Sequence, residues 1–276
     1  MGEVTVIGFG EAGMALVPAG ARGFDIRQDP AKREDFRRCD VRACTTAAEA
    51  LSGATVVLSL VTADQALAAA EADAPHLARG TLWLDLNSVS PDTKRAAQAA
   101  IEGAGGRYVD VAVMAPVLSA RREVSLLVAG SHAEAGLSAL AEMGFTSACA
   151  VAGPIGAAAA IKMVRSVMIK GIEALSAECA LAANAAGVLP EVLASLGDEW
   201  GPRFDYNLDR MMVHGTRRAA EMGEVVATLD ALGTGSAMAR ATRERQAALG
   251  ALGLSPPPGL GAKLDALLGR YKEQAA

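Results

Sequence analysis

The stretch Val4-Thr5-Val6-Ile7-Gly8-Phe9-Gly10-Glu11-Ala12-Gly13 decides how the rest of the chain is read. Val4–Ile7 is a short apolar run ending at a glycine, the pattern of a parallel strand buried on both faces. The next six residues have the form GxGxxG and lead into helix-forming sequence. In that context the three glycines provide, in turn, a tight turn, close backbone approach to a pyrophosphate, and close packing of helix on strand. A helix that starts at the turn offers N–H groups and a positive dipole end to the phosphates. Gly8, Phe9, Gly10, Glu11, Ala12 and Gly13 are therefore candidate residues for a dinucleotide cofactor.

An acidic residue roughly 20 positions further on, at the end of the second strand, would bind the ribose hydroxyls. Gly23-Phe24-Asp25-Ile26 offers Asp25, with Asp29 as the alternative if the strand runs longer. An acid there repels a 2′-phosphate and favours NAD, while Arg27 and Arg33 stand close enough to reverse that preference in favour of NADP. The first helix is expected to be short and to contain Pro18, which leaves the local register open.

Further along, Val56–Val61 and Leu82–Leu86 are similar apolar runs, and Tyr108–Val113 and Val124–Val128 are more mixed. Helix-like stretches lie between them at Ala47–Leu51, Ala63–Ala74, Pro91–Glu102 and Ala133–Met143. Such alternation predicts βαβ units and a parallel sheet with both faces covered. After about residue 150 the pattern becomes helical throughout: Gly156–Ala186, Leu189–Leu196, Tyr206–Leu232, Ser236–Leu249 and Leu260–Lys272. The punctuation is Gly201-Pro202, Gly233 and Pro256-Pro257-Pro258. The expectation is an α/β fold: a Rossmann dinucleotide-binding domain over residues 1–152, followed by an all-α domain over residues 153–276.

Composition agrees with two domains. The 276 residues are 51% hydrophobic, 21% charged and 4% aromatic, with 29 glycines and a net charge of −5. At roughly 100–200 residues per domain this suits two cores, and the alanine- and glycine-rich mix suits close helix packing better than a β-sandwich. No block of positive charge marks a nucleic-acid surface; Arg240, Arg243 and Arg245 alternate with Glu244 and read as a solvated helix face. No run approaches the roughly 18 apolar residues that span a bilayer, and the N-terminus has no basic region of a signal peptide. Cys39, Cys44, Cys149 and Cys179 form no CxxC pair and three histidines are scattered, so no metal site is expected. A reduced, cytoplasmic protein is the simplest reading.

Three later segments carry chemistry. Asp85-Leu86-Asn87-Ser88-Val89-Ser90-Pro91 ends a strand and begins a helix, with Ser90 as N-cap and Pro91 at the first helical position. Asp110-Val111-Ala112-Val113-Met114-Ala115-Pro116 is a strand ending in a proline turn. Gly153-Pro154-Ile155-Gly156 leads through four alanines to Lys162-Met163-Val164-Arg165-Ser166. There Lys162, Arg165, Ser166 and Ile169 share one helix face. A lysine in such an alanine-rich stretch is expected to be buried, and desolvation would draw its pKa down towards neutrality, which suits proton transfer.

With these motifs in order, nearly the whole chain resembles the β-hydroxyacid dehydrogenase superfamily, which includes 6-phosphogluconate dehydrogenase and 3-hydroxyisobutyrate dehydrogenase. It is most similar to the branch of phosphogluconate-dehydrogenase-like proteins with a specialised C-terminal domain, whose signature His214-Gly215-Thr216-Arg217-Arg218-Ala219-Ala220-Glu221-Met222 resembles. The resemblance implies a hydride transfer between NAD or NADP and an alcohol or hydroxyacid, with Lys162 as general acid/base. It implies Asn87 on the substrate side and Ser88 on the cofactor side, where the family has D-x-S-T-x-S-P, and Val61 and Thr62 are grouped with the cofactor residues. Arg165 and Ser166 stand where the family has Asn or His followed by Asn, and the resemblance places them on the substrate side. Met114, Ala115 and Pro116 replace a serine-glycine-glycine loop, removing a hydroxyl and an N–H and implying a bulkier or less polar small-molecule substrate. The family's helix-opening K-D-L is absent; Arg217 or Arg218 could substitute, and Trp200, Arg203, Tyr206 and Asn207 could line a pocket. The family also implies a homodimer formed through the long helix, with the active site between the domains. Two rival readings remain: an imine reductase, whose members usually carry Asp or Tyr at the position of Lys162, and a non-catalytic dinucleotide-binding module.

Overall fold

The structure, a computed structural model, describes residues 3–275. The chain divides into two compact units, one up to Met163 and the other from Val164.

In the first unit an eight-stranded sheet runs in the order β3-β2-β1-β4-β5-β6-β7-β8. The strands are β1 (Val4–Ile7), β2 (Arg22–Phe24), β3 (Arg42–Ala43), β4 (Val56–Ser59), β5 (Leu82–Asp85), β6 (Arg107–Val113), β7 (Leu126–Ala129) and β8 (Ala148–Ala150). Neighbouring strands are parallel except β6 and β7. Helices α1 (Glu11–Leu16), α2 (Pro30–Arg38), α3 (Ala47–Leu51), α4 (Ala66–Asp73), α5 (Pro91–Gly103), α6 (Val117–Ala120) and α7 (Ala133–Glu142) connect them. Successive strand side chains enter opposite faces, as a pleat requires. Val6, Leu58, Leu84 and Val109 belong to one core cluster, and Ile7, Val57, Trp83 and Tyr108 to the other.

The expected strand and helix alternation is present, with one correction at the first helix and one alternative decided at the second strand. Pro18 is not inside the first helix, because α1 ends at Leu16 with Val17 as its C-cap. A proline two residues past the helix end cannot continue it, which is why the helix has only six residues. The second strand ends at Phe24, so Asp25 stands at the strand end and Asp29 instead caps α2, accepting the Lys32 N–H at 3.0 Å.

The second unit is helical. Helix α8 (Ala157–Ala185) begins in the first unit and continues into the second, followed by α9 (Leu189–Leu196), α10 (Trp200–Ala231), α11 (Ala237–Ala251) and α12 (Leu260–Ala275). The composition changes near Gly153-Pro154, whereas the compact units meet at Met163/Val164. The opening of α8 stays with the sheet because Asp110 on β6 accepts the N–H groups of Gly156 (3.0 Å) and Ala159 (3.1 Å). Gly201-Pro202 does not precede the helix as the punctuation suggests. Both residues lie in the first turn of α10, where a proline forfeits no intrahelical bond. Ala174, Ala177 and Ala180 pack with Phe204, Leu208, Met211, Leu249 and Leu264 into the core of this unit.

Candidate functional site

Strand order reverses direction between β1 and β4, the place where open α/β sheets bind ligands at the strand C-termini. The glycine turn lies there. Gly8 has φ +86°, and a Cβ on it would stand 2.5 Å from the Leu60 carbonyl oxygen and 2.9 Å from Val61 Cγ1. Only glycine permits that approach of the β1 and β4 ends. Gly13 is equally restricted, since its Cβ would meet the Gly8 carbonyl oxygen at 2.6 Å. Gly10 differs: it is the N-cap of α1, brings no side-chain acceptor, and a Cβ there meets no atom within 4 Å. The turn is closed on two sides and open at Gly10, the shape a pyrophosphate needs.

Phe9 contributes its backbone alone. Its ring is buried and stacked on Phe36 at 4.0 Å. Its N–H donates to Asp25 Oδ2 at 2.7 Å, and its carbonyl accepts from the buried Lys32 Nζ at 2.7 Å. Asp25 thus clamps the turn while standing, half-buried, just past the end of β2, its other oxygen accepting the Arg27 N–H at 2.8 Å. Arg27 reaches Asp29 at 3.0 Å, and Arg33 Nε donates to the Gln28 carbonyl. Val61 is half-buried against Gly8, and Thr62 follows it on the exposed side.

At the next strand end, Asn87 is buried. Its Nδ2 donates to Ser59 Oγ at 2.9 Å, and its N–H to Asp85 Oδ1 at 2.8 Å. Asn87 Oδ1 and Ser88 Oγ are buried without hydrogen-bond partners. Other buried polar atoms among the described residues also lack partners, but these two are adjacent in sequence and stand at the end of a strand, where a bound ligand could complete them. Together with the open Gly10, these residues fit a dinucleotide cofactor.

Beneath this turn lies a charge cluster that sequence reading missed. Lys94, 1% exposed, places Nζ 3.0 Å from Asp85 Oδ1 and 3.4 Å from Asp110 Oδ1. Tyr108 donates its hydroxyl to Asp85 Oδ2 at 2.5 Å. Burial, and then the neighbouring Asp85 and Asp110 charges, push the Tyr108 phenol well above its ordinary range. A signal was available: Lys94, Ala97 and Ile101 form the buried stripe of α5, so this lysine stands on the apolar face.

Met114 is half-buried and packs with Ala112, Ala129, Ala157 and Ala158, while Ala115 and Pro116 are exposed. Lys162 is half-buried on α8, less enclosed than its alanine-rich surroundings suggest. Arg165 and Ser166 follow on the same helix within the second unit, Arg165 exposed and Ser166 buried. Arg218 does not stand in as a free basic group. It is buried in an ion pair with Glu173, donating Nε to Oε2 at 3.0 Å, and Gln246 donates to the same carboxylate at 2.9 Å. Arg217 is exposed. Trp200 packs edge-on against Phe204 under Arg203, Asn207 donates to Ser176 in the core, and Tyr206 is exposed. Among the described residues no cluster of metal-ligating side chains occurs, and no helix is long and apolar enough to cross a membrane.

Sheet, glycine turn and strand-end acid define a dinucleotide-binding α/β domain. Residues 3–153 match the NAD-binding domain of 6-phosphogluconate dehydrogenase, and residues 183–249 match a domain of unknown function, DUF1932. The chain belongs to this 6-phosphogluconate-dehydrogenase-like family. It is 37% identical to a conserved hypothetical protein from Sinorhizobium meliloti, over 98% of this chain and 97% of that one, with a TM-score of 0.71. An uncharacterized 28.5 kDa protein from Methanothermus fervidus is 28% identical over 174 residues, covering 62% of this chain and just under two thirds (66%) of that protein. The fold is also that of Mycobacterium tuberculosis 3-hydroxyisobutyrate dehydrogenase, with a TM-score of 0.71 at 18% identity over 97% of this chain and 99% of that one.

Proposed function

We propose that this protein is an NAD-dependent oxidoreductase that moves a hydride between the nicotinamide and an alcohol or hydroxyacid, with Lys162 as the general acid/base. The observation that carries the reading is the pair of orphaned buried atoms, Asn87 Oδ1 and Ser88 Oγ, on the strand end beside the glycine turn. The cofactor, when bound, supplies the hydride acceptor. Ser88 Oγ donates towards it, and Asn87 orients the substrate from a position fixed by Ser59 and Asp85. Lys162, as the neutral amine, takes the hydroxyl proton on Nζ; in the reverse direction its ammonium returns it to the oxygen. Arg165 adds a charge-assisted hydrogen bond and Ser166 a neutral one to the same substrate. Met114, Ala115 and Pro116 turn an apolar wall to it, which favours a bulkier or less polar alcohol than a small hydroxyacid. NAD is favoured because Asp25, past the end of β2, would accept from the ribose hydroxyls while Arg27 and Arg33 are engaged by Asp29 and Gln28. A homodimer is supported by Val164, Met168 and Leu175, exposed along α8 in the second unit.

The test is a turnover screen with NAD and NADP over hydroxyacids, aryl alcohols and cyclic imines, using the chain and its Lys162→Ala variant. Loss of turnover in the variant with cofactor binding retained is the expected result. Near-normal turnover in that variant, or cofactor binding with no turnover on any substrate, overturns the assignment. Sedimentation as a monomer at micromolar concentration removes the dimer.

A further inference from the structure

We infer that Lys94 is a positioning residue of the candidate site: its ammonium ties together the carboxylates of Asp85 and Asp110, and through them fixes both the Asn87–Ser88 turn and the first turn of α8. An ammonium taken out of water is strongly disfavoured unless it is paired and hydrogen-bonded, so a lysine exposed by only 1% marks a built arrangement. Asp85 and Asp110 are register partners on the neighbouring strands β5 and β6. Two like charges this close in an interior repel each other. Lys94 Nζ relieves this by lying between them, 3.0 Å from Asp85 Oδ1 and 3.4 Å from Asp110 Oδ1, and it also donates to the Asp85 carbonyl oxygen at 2.6 Å.

Each carboxylate then reaches outward from the cation. Asp85 Oδ1 accepts the Asn87 N–H, and Asp110 Oδ2 accepts those of Gly156 and Ala159. Asp110 is thereby a remote cap on the helix whose next turn carries Lys162. One buried lysine thus sets two segments separated by some seventy residues of sequence, and both must hold still for a reaction that needs preorganised groups. That this positioning serves catalysis rests on the function proposed above; the link between Lys94 and the two segments does not.

Residue-resolved amide hydrogen exchange and NADH titration on the full chain test it. In Lys94→Met, exchange at Asn87, Gly156 and Ala159 accelerates by at least about tenfold while Val6 and Leu58 keep wild-type rates, and NADH affinity falls. Adding Asp110→Asn removes one of the two facing charges and restores part of the protection at Asn87. Should Lys94→Met not fold, Asp110→Asn alone carries the test: exchange at Gly156 and Ala159 rises several-fold with Asn87 unchanged, since Lys94 still holds Asp85. Uniform acceleration across the sheet, additive losses in the double variant, or unchanged rates at all three amides overturn the proposal. If the wild-type chain binds no NADH, the proposed function fails while the exchange pattern still decides the role of Lys94.

Discussion

At the scale of single residues, the three glycines of the turn carry different constraints although the motif writes them alike. Gly8 combines a left-handed φ with backbone 2.5 Å from its missing Cβ, whereas Gly10 faces open space. Gly8→Ala is therefore expected to destabilise the protein by about 2–4 kcal/mol, from backbone strain and overpacking together. Gly10→Ala should leave stability within about 0.5 kcal/mol of wild type, as for an unconstrained site. Its methyl group instead enters the space a pyrophosphate would use. NADH affinity should then drop by at least about tenfold, the cost of one lost close approach. Thermal melts and NADH fluorescence titrations read the two effects separately. Equal stability losses in both variants would deny that Gly10 is kept open for a ligand. The glycine turn, the strand end before Asp25 and the Ser90 cap were legible in sequence because their meaning is local. Lys94 and Arg218 were not. Charged residues in helices read as solvated faces, and their partners Asp85, Asp110 and Glu173 lie on other elements that pattern alone does not bring near.

At the scale of elements, the segment that carries the C-terminal domain's signature also makes a helix crossing. Helices α10 and α11 touch backbone to backbone at Gly215 and Gly250: a Cβ on Gly215 would lie 2.4 Å from the Gln246 carbonyl oxygen and 2.7 Å from Gly250 N. Three residues on, Arg218 turns to Glu173 on α8, so Gly215 and Arg218 fasten α10 to two neighbours. The motif was visible in sequence, but its purpose was not, because helix proximity has no signature beyond a small residue. Gly215→Ala should cost about 3 kcal/mol or more, since only backbone is available to give way. Gly201, in the first turn of the same helix, is open: a Cβ added there meets nothing within 4 Å. Gly201→Ala should instead be neutral or stabilising by up to about 1 kcal/mol, the helix propensity gain. Opposite signs in urea unfolding would establish that the crossing, rather than helix propensity, selects glycine at 215. The same limit applies to the sheet: edge strands β3 and β8 have two and three residues, too short to leave a hydrophobic period.

At the scale of the whole molecule, the net charge of −5 says less than where the buried charges are matched. Among the described residues, the buried carboxylates are Asp73, Asp85, Asp110 and Glu173. Three are answered by Lys94 or Arg218. Asp73, at the end of α4, has an Oδ2 with no partner, and burial raises its pKa from 3.8 to about 6. Because the folded state holds this proton more tightly than the unfolded state, folding stability falls as pH rises from about 3.8 to about 6. Above that the penalty is constant, near 3 kcal/mol as an order of magnitude, about 1.36 kcal/mol for each pKa unit. Asp73→Asn removes the ionisation and keeps the shape, although its amide brings donors of its own that also seek partners. The absolute difference from wild type is therefore a weaker readout than its pH dependence. Urea unfolding at pH 4 and pH 7.5 should show the variant gaining about 2–3 kcal/mol on wild type between the two conditions. A difference that is the same at both pH values would mean that Asp73 is solvated or paired when the protein is folded, and that the alkaline side of its stability profile is set elsewhere.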